Sequence, residues 1–492
     1  MHKWEFAVAL EREGNIPVFL QLARAVADDI RRGRLKPGDP LPGSRTLAGS
    51  LQVHRNTVLA AYAELAAEGW ITTSAARGTF VSRALPDRIP RRFSSAMATR
   101  QSIPSRVGFD LRPAPELIQT PQASPGLLVF ATGTPDVRLV PVAALSRAYR
   151  RTLRLQSRLA LNYAAPHGHP ALRAALAGML SSTRGLAARA DEVFVTRGSQ
   201  MALALVARAI VSPGDVVAVE QLGYRQGWEA LRAAGARLIP LPLDEEGVSA
   251  DALQDLTRRE RVRAVYLTPH HQYPTTVTLA AGRRLRLLEL ARAQRIAIVE
   301  DDYDHEFHYD GRPVLPLASV DQAGVVVYIG TLSKVLAPGL RVGYVVAPPA
   351  LVDRLAAHRA FIDVQGDYGI EGAVAELLDE GEVQRHVRRV RRIYMARRDA
   401  LVRAIASELG GALVPRPAPG GIAIWAEVGR GIDVEAWAAR ARDAGVLFHT
   451  AKHFAFDGRP RPFVRLGFAS MNEQEMQEAV RRMAIAVPRR QG

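Results

Sequence analysis

Cysteine is absent from the 492 residues, which excludes disulfides and thiolate metal sites outright. The twelve histidines fall at no paired metal-ligand spacing, so no metal site is expected. No apolar run approaches the ~20 residues that a membrane-spanning helix needs. The opening Met1-His2-Lys3-Trp4-Glu5 leads into no apolar stretch of signal-peptide length, so a cytoplasmic protein without a membrane partner is expected. Lysine is scarce too: only Lys3, Lys36, Lys334 and Lys452 occur, and arginine carries the basic character. A net charge of +16 suits an anionic partner such as DNA. The excess is not concentrated in residues 1–83, so charge alone does not locate a contact surface.

What is present reads as two or three domains, since 492 residues with 48% hydrophobic content exceed one typical core. Val18, Leu22, Val26 and Ile30 recur at helical intervals, with Pro17 at the expected first helical position and Gly33 at the end. Ser44 is the expected N-cap of a short helix over 46–51, and Gln52-Val53 separates it from a second helix starting near His54. In that second helix Val58, Ala61, Tyr62 and Leu65 form the buried stripe. Residues 71–81, with Gly78 between two Thr/Val-type runs, read as a hairpin wing. Residues 15–83 thus form a winged helix-turn-helix, and the Pro-, Arg- and Ser-rich 84–126 a linker. Beyond it, apolar runs at 193–195, 216–219, 262–267, 296–299, 325–329 and 344–346 alternate with helical patterns. That alternation predicts an α/β domain with a mainly parallel sheet over 127–350, followed by a smaller α+β lobe over 351–485.

In the first segment, Arg45, Arg55, Asn56 and Thr57 lie where a recognition helix meets DNA. Arginine pairs bidentately with guanine and asparagine with adenine, while hydroxyls and helix N-termini hold phosphates. Arg77, beside Gly78 at the wing tip, is a candidate for the minor groove or a phosphate. Any small helical domain with a hairpin has the same coarse pattern. The string RRGRLKPGDPLPGSRTLAGSLQVHRNTVLAAYAELAAEGWITTSAARGTFV, however, closely resembles the winged helix-turn-helix of the GntR superfamily along its whole length.

Three further features sit at the C-terminal ends of expected strands, where open α/β sheets bind ligands. Lys334 follows 325–329 in TLSKVLAPGLRVGY, Glu300-Asp301-Asp302-Tyr303 ends the strand at 296, and Thr196-Arg197-Gly198-Ser199-Gln200 opens a helix after 193–195. A lysine for an imine, a carboxylate for a pyridinium nitrogen and helix N–H groups for a phosphate are the parts of a pyridoxal-phosphate site. Each alone has a plainer reading, as a solvated lysine, an acidic helix cap or an ordinary helix start. Of the other lysines, Lys3 is terminal, Lys36 lies in the winged-helix turn and Lys452 in the C-terminal lobe, which leaves Lys334.

Residues 127–485 resemble a fold-type I aminotransferase, and their fusion behind a GntR-type winged helix resembles the MocR/GabR family of regulators. The resemblance implies an α/β pyridoxal-phosphate-dependent transferase fold with Lys334 as the imine-forming lysine. It assigns Asp301 to the pyridine nitrogen, Tyr303 to the phenolic oxygen and Tyr224 to ring stacking. Ser199, Gln200, Ser333 and Arg341 would hold the phosphate. Tyr163, in NYAAPHGHP, would reach the phosphate of the partner subunit, which implies a homodimer. Arg465, in PFVRLGFA, would bind an amino acid's carboxylate. One departure concerns His270-His271-Gln272-Tyr273-Pro274-Thr275-Thr276, where Tyr273 stands in an element that usually carries a functional asparagine. That role does not carry over, which bears on transamination rather than on cofactor binding. Arginines 385, 388, 389, 391, 392, 397 and 398 decorate one helical segment, read as a solvated face with an auxiliary DNA surface as the alternative.

The implied function is a transcriptional regulator that binds operator DNA, pyridoxal phosphate and an effector: an amine, an amino acid or the vitamer itself. Its rivals are a working aminotransferase with an appended DNA-binding module, and a regulator whose aminotransferase domain only dimerises.

Overall fold

The computed structural model describes residues 16–74, 78–86, 106–111, 126–130, 133–311, 314–416 and 419–488. Two compact units divide at residue 115, and most of the expected linker lies outside the described residues.

In the first unit the helix Val18–Arg31 buries Leu22, Val26 and Ile30, as its apolar spacing predicts. Pro17 occupies the cap position rather than the first helical one. The short helix begins at Ser44 itself, so Gly43, not Ser44, is the N-cap residue. Gln52 ends it in the left-handed region at φ 50°, which turns the chain sharply into the next helix. That helix, Arg55–Ala67, is capped by His54, whose Nδ1 accepts from the Asn56 N–H at 3.3 Å. Val58, Ala61, Tyr62 and Leu65 are its buried residues, and the Tyr62 hydroxyl donates to the Pro42 carbonyl at 2.8 Å. The strands Ile71–Ser74 and Gly78–Val81 pair antiparallel to form the wing.

The second unit is built on a seven-stranded sheet. Its order is Val193–Thr196, Gly343–Val346, Val326–Thr331, Ala297–Asp302, Val262–Leu267, Val216–Glu220 and Arg237–Leu241. Gly343–Val346 runs antiparallel to both neighbours, and the other pairings are parallel. Strands such as Val193–Thr196 and Val326–Thr331 are buried at every position, because helices cover both faces; their β-branched runs follow from that. The edge strand Arg237–Leu241 escapes a reading from apolar runs, since most of its residues are half-buried or exposed.

The small lobe carries an antiparallel sheet ordered Leu413–Arg416, Ala423–Val428, Phe463–Gly467 and His449–Thr450. Its core gathers Val390, Leu401, Trp437 and Phe448, and therefore starts with the helix Glu382–Glu408 rather than at 351. Helices Pro349–Ala360 and Tyr368–Asp379 contribute Val352, Leu355, Val374 and Leu377 to the large-lobe cores instead. Conversely, Leu128–Val129 pairs with Val446–Leu447 in the small lobe. The arginine-rich segment is partly structural. Arg397 is buried in an ion pair with Asp136 at 2.9 Å and Arg398 meets Asp310 at 2.6 Å, while Arg388, Arg391 and Arg392 form the solvated face.

Candidate functional site

Parallel pairing sets the C-terminal ends of Val262–Leu267, Ala297–Asp302 and Val326–Thr331 side by side. Asp301 sits near the end of the middle strand. Its Oδ2 accepts the Tyr266 hydroxyl at 2.8 Å, and its buried Oδ1 has no partner among the described residues. Burial pushes its carboxyl up to about 6, against the hydrogen bond from Tyr266. Lys334, three residues beyond the next strand, has its amine brought down to about 8, first by burial and then by the charge of Arg465, with Asp304 and Asp301 opposing. A lysine that gives up its proton more readily than usual and a carboxylate with a buried oxygen unpartnered among the described residues suit an aldehyde and a ring N–H respectively.

The expected phosphate end offers mainly backbone groups. Ser199 opens the twelve-residue helix Ser199–Ile210, whose N-terminal N–H groups favour an anion. Gly198 precedes it at φ 82°, and a Cβ there would stand 2.7 Å from Arg341 Nη2. Arg341 donates to the Arg197 carbonyl at 2.9 Å and is otherwise exposed. The Ser333 Oγ is buried without a partner among the described residues. Gln200 donates Nε2 to the Gln226 carbonyl at 2.9 Å and leaves Oε1 unpaired among the described residues; an oxygen cannot donate to phosphate, so Gln200 would serve such a cradle only with its amide turned round.

Tyr224 and Tyr273 meet edge to face at 5.7 Å, and Tyr303 donates its hydroxyl to the His271 carbonyl at 3.0 Å. Burial holds the Tyr303 phenol well above its ordinary range, so it stays a donor. Arg465 is 1% exposed and lies 4.6 Å over the Tyr273 ring with the neutral Tyr303 phenol beside it, and no carboxylate pairs with its guanidinium among the described residues. A buried cation left in that state calls for an anionic ligand. Tyr273, the departure noted in the sequence, is therefore the face on which this arginine rests. Tyr163 is not gathered with the others; it is 85% exposed.

In the first unit, Arg45, Arg55 and Asn56 are exposed and Thr57 is partly buried. Arg55 Nε reaches Ser44 Oγ at 3.4 Å, so the starts of the two helices present these side chains together. Arg77 lies outside the described residues.

Sequence reading missed a second layer beneath the site. His271 Nδ1 donates to Asp304 Oδ1 at 2.8 Å, and His305 lies against Asp302 at 3.1 Å. His270, His271 and His308 bring ligand-capable atoms within 4.8 Å of one another, contrary to the reading from spacing. The only signal was the strings HHQ and DHEFHY beside recognised motifs, because pairing of the two loops is tertiary.

Comparison with known proteins decides the family. Residues 20–81 match the bacterial regulatory proteins of the gntR family, and residues 125–483 match aminotransferase class I and II. The chain is 32% identical over 482 residues to the probable rhizopine catabolism regulatory protein MocR of Rhizobium meliloti, covering 97% of this chain and 95% of that one. The chain belongs to the MocR-type GntR regulators. It is also 32% identical to the HTH-type transcriptional regulator TauR of Rhodobacter capsulatus over 480 residues, 95% of this chain and 96% of TauR. Among solved structures, LysN, the alpha-aminoadipate aminotransferase of Thermus thermophilus complexed with N-(5'-phosphopyridoxyl)-L-leucine, matches with TM-score 0.68 and 32% identity, covering 73% of this chain and 92% of LysN. This MocR-type protein is accordingly a DNA-binding transcriptional regulator with an aminotransferase-like domain, and that domain indicates pyridoxal phosphate as its cofactor. Among the described residues no helix is long and apolar enough to cross a membrane.

Proposed function

We propose that this regulator reads operator DNA in response to a small amine or amino acid held beside Lys334 and Arg465, and that it works as a cytoplasmic homodimer. The observation that carries the reading is the Arg465 guanidinium, buried with no carboxylate partner among the described residues and close enough to Lys334 to depress its amine. Pyridoxal phosphate, when bound, supplies an electrophilic carbonyl for amino groups. Asp301 would hold the ring nitrogen, Tyr303 the phenolic oxygen, and Ser199, Ser333 and Arg341 the phosphate. Tyr224 would stack on the ring. Arg465 then selects ligands that carry a carboxylate, because any other occupant leaves the cation unpaired.

Such a ligand alters DNA affinity only if it binds two states of the protein unequally. The test is operator binding by the cofactor-loaded protein across a panel of amino acids and amines, in wild type and Arg465→Ala. Wild type should respond to at least one carboxylate-bearing amine. Arg465→Ala should lose that response while keeping its operator affinity and cofactor absorbance. An equal response in both proteins overturns the assignment of Arg465.

A further inference from the structure

Val262–Leu267 and Ala297–Asp302 are parallel neighbours, so the loops leaving their C-terminal ends run side by side. One carries His270 and His271, the other His305 and His308. The rings of His270 and His271 lie 4.3 Å apart between centroids, those of His270 and His308 6.3 Å, and those of His271 and His308 6.5 Å. Both ring nitrogens of His270, a residue 3% exposed, lack hydrogen-bond partners among the described residues, whereas the half-buried His308 has only the Asp310 backbone close to its ring. Buried imidazoles are ordinarily satisfied, and one unpaired ring would be an exception needing a reason. Such a ring with two further imidazoles around a common point indicates a missing electrophile. We propose that His270, His271 and His308 form a binding site for a divalent transition ion of the zinc, nickel or copper class.

The chemistry of the donors sets the class. Three imidazoles suit zinc, copper and nickel, whereas calcium and magnesium demand oxygen ligands. Asp304, by accepting from His271 Nδ1, fixes the ring and leaves Nε2 to face the ion, the carboxylate-histidine arrangement that orients metal ligands. Gly420 keeps the space beside that nitrogen open, since a Cβ there would stand 2.6 Å from it. The ligand-capable atoms lie within 4.8 Å of one another, while two nitrogens on a tetrahedral ion sit about 3.4 Å apart, so the rings would close by about 1 Å or somewhat more on binding. Three protein ligands leave a position for water or a fourth donor. The site lies beneath the cofactor residues, and its assignment does not depend on the proposed effector.

The experiment uses the full-length, cofactor-loaded protein, stripped with a chelator and titrated with Zn²⁺ or Co²⁺ alone. Wild type should take up one equivalent per chain, and the cobalt form should show visible ligand-field bands of an imidazole site. His270→Ala and His308→Ala should each weaken binding by more than about 100-fold, and Asp304→Asn by ~10–100-fold as an outer-shell partner. Cofactor absorbance reports whether each variant is folded. Should a variant fail that check, zinc-edge X-ray absorption on wild type counts the imidazoles directly, and three support the site. No stoichiometric uptake, uptake unchanged in both alanine variants, or an ion without imidazole scattering each overturns it.

Discussion

Asp301 carries one oxygen bonded to Tyr266 and one with no partner among the described residues, and this asymmetry has a thermodynamic consequence. An aspartate in the unfolded chain titrates near about 3.9, whereas burial moves this one up to about 6. A raised carboxyl contributes its full share to stability below the unfolded value and loses it as pH climbs through about 6, where the folded state must hold a buried charge. Asp301→Asn should therefore stabilise the cofactor-free protein at pH 7 to 8 by about 1–3 kcal/mol and make little difference at pH 4. Urea melts of the stripped protein at the two pH values measure this, and an equal effect at both would refute it. With cofactor present the sign should reverse, because the amide no longer balances the charge on the ring nitrogen. Arg465 follows the same logic: a group that looks costly alone marks where a ligand charge belongs.

At the scale of elements, the short helix Ser44–Leu51 and the capped helix Arg55–Ala67 are held by an apolar stripe and by Tyr62 bonding Pro42, so their exposed ends are free to carry specificity. Arg55→Ala and Asn56→Ala should each weaken specific operator binding by about 1–3 kcal/mol if they make bidentate base contacts. Non-specific DNA binding at matched salt and cofactor absorbance should not move. Wild-type operator affinity in both variants would mean that another face reads the bases. This region was legible from sequence because its signals are local: the buried stripe Val58, Ala61, Tyr62 and Leu65 follows directly from helical periodicity. The caps were read less well. Ser44 and Gly43 are adjacent and both tolerable at a helix start, so propensity alone does not choose between them.

For the whole molecule, the proposed homodimer rests on side chains that a single chain leaves outside. Tyr163 is 85% exposed, and Leu161 and Phe361 are 75% and 93% exposed. If Tyr163 completes the partner's phosphate site, mixing Lys334→Ala with Tyr163→Phe chains gives heterodimers with one doubly damaged site and one intact site. Half of the heterodimer sites should then show wild-type cofactor affinity and a reducible lysine adduct, neither of which Lys334→Ala should form alone. Sedimentation should give twice the chain mass. A stable monomer that binds the cofactor with full affinity refutes the shared site. The two-part order of the chain, the helix Arg55–Ala67, and the strand-end positions of Lys334, Asp301 and Ser199 were determined by sequence alone, because periodicity and turn chemistry act over a few residues. Tertiary structure alone decided that Arg465 is buried with no carboxylate partner among the described residues, that Tyr273 lies beneath it, and that His270 and His308 meet across two loops. These depend on which strands are neighbours and on what burial leaves unsatisfied. Pairing of distant segments and the desolvation it imposes leave no mark at short range in the chain.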